Sequence, residues 1–136
     1  MDRNARTGRV PPPDILAVGF DFAWDVKLLW ALDLPVQTVP VDDLLWHFDV
    51  RFLWSSPDGY YDLTPRQVMG QPELYPEQQL RVQQADTNYP IDIMFYRGHW
   101  VILDGLHRLM KLVLAGCATA QVRKVPRSAV PLIRRS

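Results

Sequence analysis

At 136 residues, 48% of them hydrophobic and 22% charged, the chain has the length and composition of one globular domain and is too short to hold two sizeable cores. Its 15 basic and 15 acidic residues cancel, so net charge gives no general reason to expect binding to nucleic acid or to a membrane. One cysteine, Cys117, excludes an intramolecular disulfide, and no apolar stretch approaches the roughly 20 residues of a membrane span. Because its start also lacks a signal-peptide pattern, the sequence predicts a soluble, cytoplasmic protein.

The N-terminal part of the sequence predicts short elements of both kinds. Residues 1–13 end in three prolines and predict a flexible Pro-rich arm, which leaves residues 14–136 as a single domain. Residues 15–20 are compatible with a strand, whereas residues 24–32 place apolar side chains at helical spacing. Two prolines confine the next strand to residues 36–39.

Proline and cap residues mark three short helices in the middle of the chain. The first can be capped by Asp42 or Asp43. The second, over residues 65–70, has a threonine cap followed by proline at its first position. The third is predicted over residues 76–84.

The pattern becomes clearer from residue 91. Alternating apolar residues predict strands over residues 91–95 and 99–103, joined by a tight Arg-Gly turn into a β-hairpin. A helix follows over residues 106–114, with apolar residues at spacings of three and four, and a last strand over residues 119–125. This order of elements predicts an α+β fold in which helices pack on a small mixed sheet.

The hairpin passes directly into that helix through Asp104 and Gly105. The first N–H groups of a helix have no partner within it, and its dipole adds about half a positive charge there, so a phosphate is stabilised at this point. Glycine lets a phosphate oxygen approach the backbone closely. His107 and Arg108 in the first turn and Lys111 one turn later are cations that oppose the dipole unless an anion is bound. The spacing therefore predicts a phosphate site at a strand-to-helix turn.

The same residues have a plainer interpretation. Asp104 can be an ordinary N-cap, and His107, Arg108 and Lys111 can form a solvated helix face that binds nothing. Residues 97–136 carry eight basic residues against one acid, which favours either an anionic ligand or two faces of the domain that attract each other. The residues alone leave these alternatives open.

The stretch from Tyr89 to Val125, YPIDIMFYRGHWVILDGLHRLMKLVLAGCATAQVRKV, resembles the core of the ParB/sulfiredoxin superfamily. Members share a Pro-Ile strand, a hairpin, a Gly-x-His-Arg or Gly-x-Arg-Arg turn, a helix and a final strand in this order. Residues 76–88 resemble the helix before the Pro-Ile strand, and VPVDDL at residues 39–44 resembles the opening strand and helix. The resemblance implies a ParB/sulfiredoxin-like fold.

The resemblance also implies a nucleotide, because Gly105, His107 and Arg108 match the residues that would hold the phosphates of ATP or CTP. DGLHR is closest to the Asp-Gly-His-His-Arg form, whose ParB-like bearers include small-molecule kinases and proteins described as nucleases. That form implies ATP-dependent phosphoryl transfer, with Asp104 as the first candidate for the base or magnesium ligand and acids of the N-terminal half as further ones. The alternative is a non-catalytic module in which a nucleotide or another anion controls a protein partner.

Two features of the sequence limit the resemblance. Sulfiredoxins place their reactive cysteine between the Gly and the His, where this chain has Leu106, so repair of sulfinic acids is not implied. Chromosome-partitioning ParB proteins continue into a helix-turn-helix, whereas this sequence ends soon after its last predicted strand. We therefore expect no DNA partner, and a small molecule or a protein beside the nucleotide.

Four of the five tryptophans, Trp24, Trp30, Trp46 and Trp54, lie close together in the sequence. We expect them to pack against the sheet. The alternative is the wall of a pocket or a partner surface, since tryptophan is enriched at both. A base-stacking role for one aromatic residue of this half is compatible with the sequence.

Overall fold

Residues 13–55 and 61–135 are described by the computed structural model, and four strands among them form one mixed sheet. The strands are β1 (Val36–Pro40), β2 (Ile91–Tyr96), β3 (His99–Asp104) and β4 (Thr119–Lys124), in the spatial order β1-β4-β2-β3. β2 and β4 are parallel, whereas β1 with β4 and β2 with β3 are antiparallel. The predicted α+β class with a small mixed sheet is confirmed.

β2 and β3 form the predicted hairpin because their turn residues adopt the backbone that a two-residue loop needs. Arg97 and Gly98 have φ values of 52° and 88°, so both central residues are left-handed, as in a type I′ turn. At the open end of the hairpin, Asp92 of β2 is the register partner of Asp104 of β3. Two aspartates therefore lie opposite each other where β3 leaves the sheet.

Six α-helices accompany the sheet within the described ranges. They are α1 (Pro13–Val18), α2 (Val26–Trp30), α3 (Pro65–Gly70), α4 (Pro76–Gln84), α5 (Leu106–Leu114) and α6 (Val130–Ile133). The helices predicted within residues 24–32, 65–70, 76–84 and 106–114 are confirmed. Among these residues no helix is long and apolar enough to cross a membrane.

The N-terminal prediction is wrong for residues 15–20, which begin within α1 rather than in a strand. Pro13, expected to end the flexible arm, is instead the first residue of this helix, and residues 1–12 of the arm lie outside the described residues. Proline presets a helical φ, and Asp14 in the first turn is favourable with the helix dipole. These two signals outweigh a short apolar run whose periodicity fits either structure.

The predicted helix with an aspartate cap is also wrong. Two 3-10 helices, Val41–Asp43 and Leu45–Asp49, take its place, and no side chain of the described residues caps either one. His47 stabilises this segment, because its Nδ1 donates to the Leu44 carbonyl at 2.8 Å and its Nε2 accepts from the Ile102 N–H at 3.0 Å. The segment thereby covers part of the outer edge of β3.

Helices cover both faces of the sheet. α5 packs Leu109 and Met110 onto one face together with α3 and α4. α2 and α6 pack Leu29 and Ile133 onto the opposite face. Since α5 begins where β3 ends, the turn between them lies at the boundary of the two layers.

Candidate functional site

The turn from β3 into α5 is built around Gly105, the N-cap residue of the helix. Its φ of 119° lies in the left-handed region that side-chain-bearing residues rarely adopt. A β-carbon there would lie 3.1 Å from the Ile91 side chain and from the Arg108 guanidinium. No described side chain caps the helix, and its first N–H groups have no partner within it. The start of α5 therefore offers backbone N–H groups to a ligand.

Asp104 is not the N-cap of the plainer interpretation, because Gly105 occupies that position. The Oδ2 atom of Asp104 instead accepts from Trp30 Nε1 at 2.9 Å and from Arg108 Nη2 at 3.0 Å. The extra residue between strand and helix leaves the carboxylate beside α2. The cap interpretation of Asp104 is therefore wrong, and its carboxylate joins an indole to a guanidinium.

Arg108 folds back over the turn. Its Nη1 donates to the Pro90 carbonyl at 2.7 Å, while its Nη2 donates to Asp104. Only 17% of the Arg108 side chain is exposed. The interpretation as a solvated helix face is therefore wrong for Arg108, which forms a charge-assisted pair at the start of α5.

His107 is largely buried and neutral. Its Nε2 lies 2.9 Å from Gln78 Oε1, an acceptor, so Nε2 carries the proton. Burial first, and then the charge of Arg81, lower the pKa of His107 from 6.5 to about 4. The expectation of a cation at this position is therefore wrong near neutral pH. What His107 offers to an anion is its backbone N–H.

Lys111 points away from the turn. Its Nζ donates to the Gln83 carbonyl at 2.8 Å and to the Ala85 carbonyl at 2.9 Å, at the C-terminal end of α4. A cation there satisfies carbonyls that the helix leaves unpaired and is favourable with its dipole. Lys111 thus holds the start of the α4–β2 connection, and the structure does not bring it to the other predicted site residues.

The other four predicted residues, Asp104, Gly105, His107 and Arg108, line one cavity of about 780 Å³. α2, α4 and the α4–β2 connection supply further walls, which include Trp30, Arg81, Asp86, Tyr89, Asp92 and Arg123. Three arginines and three aspartates balance in this lining. Arg81 is the most loosely held of these arginines, since its contacts with described residues are an ion pair with Glu77 at 3.8 Å and a position 5.8 Å from the Trp54 ring centroid.

Asp92 and Arg123 are two residues of this cavity that the sequence analysis missed, as it also missed Arg81 and Tyr89. Arg123 Nε donates to Asp92 Oδ1 at 2.7 Å, and the two other guanidinium nitrogens donate to the Leu29 and Leu32 carbonyls at the end of α2. Burial raises the pKa of Asp92, and the bond with Arg123 opposes that shift. The sequence did offer a signal for this pair, because Asp92 is an acid within the otherwise apolar strand β2 and Arg123 is a base within β4.

A second cavity of about 410 Å³ lies on the other side of the turn. It shares Trp30, Arg81 and residues 104–107 with the larger cavity, and its own walls are largely aromatic. Trp24 packs against the α2–α6 cluster as expected, whereas Trp30 is 54% exposed and borders both cavities. The pocket-wall alternative therefore applies to Trp30, and also to Trp24 and Trp54, which line the second cavity.

The acids of the larger cavity fit a metal ion that arrives with its ligand. Asp92 and Asp104 both line it, but within residues 13–55 and 61–135 no three His, Cys, Asp or Glu side chains are grouped to hold a metal. Mg²⁺ is commonly bound by one or two carboxylates together with substrate phosphates. The arrangement suits magnesium delivered as a nucleotide complex better than a resident metal.

No protein-family model matches the chain, and comparison with curated proteins and with solved structures gives no significant match. The resemblance of residues 89–125 to the ParB/sulfiredoxin superfamily therefore stays a prediction. What the site can do follows from its own geometry and chemistry.

Proposed function

We propose that this protein binds a nucleotide, ATP or CTP, with the phosphates at the start of α5. The observation that carries the proposal is the uncapped N-terminus of α5, which opens through Gly105 into a cavity of about 780 Å³. The N–H groups of His107 and Arg108 and the helix dipole favour a phosphate there. The DGLHR segment supports the proposal through its resemblance to the phosphate turn of the ParB/sulfiredoxin superfamily, whose fold we propose for this chain.

The cavity matches such a ligand in size and charge. Pockets for small molecules have volumes of about 300–1,000 Å³. Arg81 and Arg108 border the cavity from α4 and α5, and a guanidinium can bind two phosphate oxygens at once. We assign phosphate binding to Gly105, His107, Arg108 and Arg81, and we assign Lys111 to holding the adjacent loop.

Asp104 is the acid that we assign to the chemistry of the site. A phosphate can replace its carboxylate as the partner of Arg108, which frees Asp104 beside the bound phosphates. A free carboxylate there can accept the proton of an attacking hydroxyl or water, or bind magnesium. Mg²⁺, when bound, neutralises charge on the phosphates. We therefore propose phosphoryl transfer or nucleotide hydrolysis as the reaction. As the place of that reaction we propose the cytoplasm.

A second candidate function is a nucleotide- or anion-responsive module without catalysis. It is favoured by one observation, that Asp104 and Arg108 are bonded to α2 and to the α4–β2 connection in the free protein. A phosphate that displaces Asp104 from Arg108 would uncouple α2 from the α4–β2 connection, because these two residues join them, and would change the surface that a partner protein meets. Turnover of the bound nucleotide distinguishes the two candidates.

Calorimetric titration with ATP, CTP and ADP, with and without magnesium, tests the proposal. We expect binding of at least one nucleotide, and a loss of about tenfold or more in Arg108→Ala, because a charge-assisted bond contributes about 1.5–3 kcal/mol. Arg66→Ala is the matched control, since Arg66 pairs with Asp49 outside the cavity and is 63% exposed. Circular dichroism checks that each variant is folded.

The absence of binding by any of these nucleotides at millimolar concentration would contradict the proposal. Equal losses in Arg108→Ala and Arg66→Ala would contradict the location of the phosphates. If a nucleotide binds and is not turned over, with or without an added acceptor, the responsive module is the better description.

A further inference from the structure

Two large aromatic side chains on the wall of the 780 Å³ cavity are exposed to solvent. Trp30 lies at the end of α2 and Tyr89 in the α4–β2 connection, and they are 54% and 63% exposed. Among the described residues neither ring contacts another aromatic ring or a cation. This contrasts with Trp46, which stacks on His47 and His99 with centroid separations of 3.8 and 4.0 Å.

Trp30 is exposed but held in place. Its indole N–H donates to Asp104 at 2.9 Å, next to the proposed phosphate turn. Arg123 donates to the carbonyls of Leu29 and Leu32, on either side of Trp30, at 2.9 and 2.7 Å. The indole is therefore attached at its edge and through its backbone, and such attachments leave ring faces available for contact.

The backbone around Tyr89 is fixed by the residues that hold the turn. Arg108 donates to the carbonyl of the next residue, Pro90, at 2.7 Å. Lys111 fixes the start of the same connection through the Gln83 and Ala85 carbonyls. A cavity wall whose backbone is already fixed loses less conformational entropy when a flat ligand stacks on its side chains.

We infer that Trp30 and Tyr89 form a stacking subsite for the base of a nucleotide whose phosphates lie at the start of α5. The inference rests on the proposed function, and it adds the direction in which the ligand extends from the turn, across the 780 Å³ cavity. The base is the planar aromatic part of such a ligand, and every base has a face that stacks on an aromatic side chain. The hydrogen bond between Trp30 and Asp104 sets the indole at the phosphate end of the cavity.

The test compares ATP with inorganic tripolyphosphate, which carries the phosphates without the base, in magnesium-free buffer. Trp30→Ala and Tyr89→Ala are each expected to weaken ATP binding by about 5- to 150-fold, the range for loss of one stacked base. Their affinity for tripolyphosphate is expected to stay within about twofold of the unmodified protein. Trp30→Phe keeps a ring and loses the indole N–H, so it should recover most of the ATP affinity lost in Trp30→Ala.

Phe95→Ala is the control for the loss of an exposed aromatic side chain, because Phe95 is 52% exposed and outside both cavities. Unchanged ATP affinity in both alanine variants would overturn the stacking subsite while leaving the phosphate site in place. Equal losses for ATP and tripolyphosphate would also overturn it, because the two residues would then act through Asp104 and the loop. If the unmodified protein binds neither probe, the proposed function itself fails, and the subsite with it.

Discussion

Two arginine–aspartate pairs border the same cavity and differ in burial and attachment. Arg123 and Asp92 are 2.7 Å apart, with 11% and 3% of their side chains exposed. Arg108 and Asp104 are 3.0 Å apart, with 17% and 25% exposed. The other two guanidinium nitrogens of Arg123 donate to the Leu29 and Leu32 carbonyls, in α2 and just after it. Asp104 accepts from the half-exposed Trp30.

The difference separates a pair that holds the fold from a pair that a ligand can rearrange. Removing one partner of a buried pair leaves an uncompensated charge, which costs several kcal/mol. The Arg108–Asp104 pair lies beside uncapped helix N–H groups, where a phosphate can replace the carboxylate. Stability should therefore depend most on Asp92 and Arg123, and anion affinity on Asp104 and Arg108.

The largest expected effect is on stability, in Asp92→Ala. We expect the free energy of unfolding in urea to fall by about 3–5 kcal/mol, because Arg123 then keeps its charge without a counter-ion. Asp49→Ala removes the acid of an exposed pair with Arg66 and should leave stability unchanged within error. Similar losses in Asp92→Ala and Asp49→Ala would contradict the claim that burial makes the Arg123–Asp92 pair important for stability.

The pH dependence of stability sharpens the comparison at His107, between the cavities. Its folded pKa of about 4 lies below the ordinary 6.5, so the unfolded chain binds the proton more readily. The stability advantage of neutral His107 is complete above pH 6.5 and declines as pH falls, by about 3 kcal/mol at pH 4. Between pH 7 and pH 4 the free energy of unfolding in urea should fall by about 3 kcal/mol more in the unmodified protein than in His107→Gln, which keeps the acid groups that also titrate in this range. Parallel curves for the two proteins would contradict a buried, neutral imidazole.

Gly105→Ala tests the backbone of the turn against a matched glycine at the other end of α5. Gly105 and Gly116 have φ values of 119° and 80°, and a β-carbon meets close neighbours only at Gly105. Both substitutions should lose roughly 1–2 kcal/mol of stability through the left-handed backbone, with a further loss at Gly105 from crowding. Thermal unfolding measures both. A smaller loss at Gly105 than at Gly116 would contradict the close packing of the turn.

Asp104→Asn should strengthen the binding of tripolyphosphate in magnesium-free buffer by about tenfold, or about 1.4 kcal/mol. The substitution removes the charge that competes for Arg108 and repels phosphate. Asp86→Asn removes an equal charge from the same cavity wall, at a residue with no ion pair to Arg108, and should have a smaller effect. Weaker binding in Asp104→Asn would mean that Arg108 does not exchange its partner.

Local sequence signals sufficed to predict the hairpin, α3, α4 and α5. The Arg97-Gly98 turn, the Thr64 capping box and the apolar spacing from Leu106 each act over a few residues. These local signals do not predict α6. Its residues join the core through contacts with α2, a helix that is distant in the sequence. Local chemistry therefore predicts elements better than it predicts what packs against them.

The candidate site was predictable in position and only partly in mechanism. Gly105 stands out because a strand runs directly into a helix there. The partners of His107 and Lys111 come from α4, 28 or 29 residues earlier in the chain, so spacing along one helix could not reveal that one is neutral and the other attached elsewhere. Arg123 and Asp92 meet through the parallel pairing of β2 with β4, which the sequence pattern does not specify.

The central claim is that phosphates bind to the backbone at the start of α5, and amide chemical shifts test it most directly. Uniformly ¹⁵N-labelled protein would be titrated with tripolyphosphate and then with ATP. We expect the largest shifts of both titrations to include the N–H groups of Gly105, Leu106, His107 and Arg108. Saturable binding that leaves the shifts of these amides unchanged, and that changes only shifts in residues 127–135, where Arg127, Arg134 and Arg135 lie, would contradict the account.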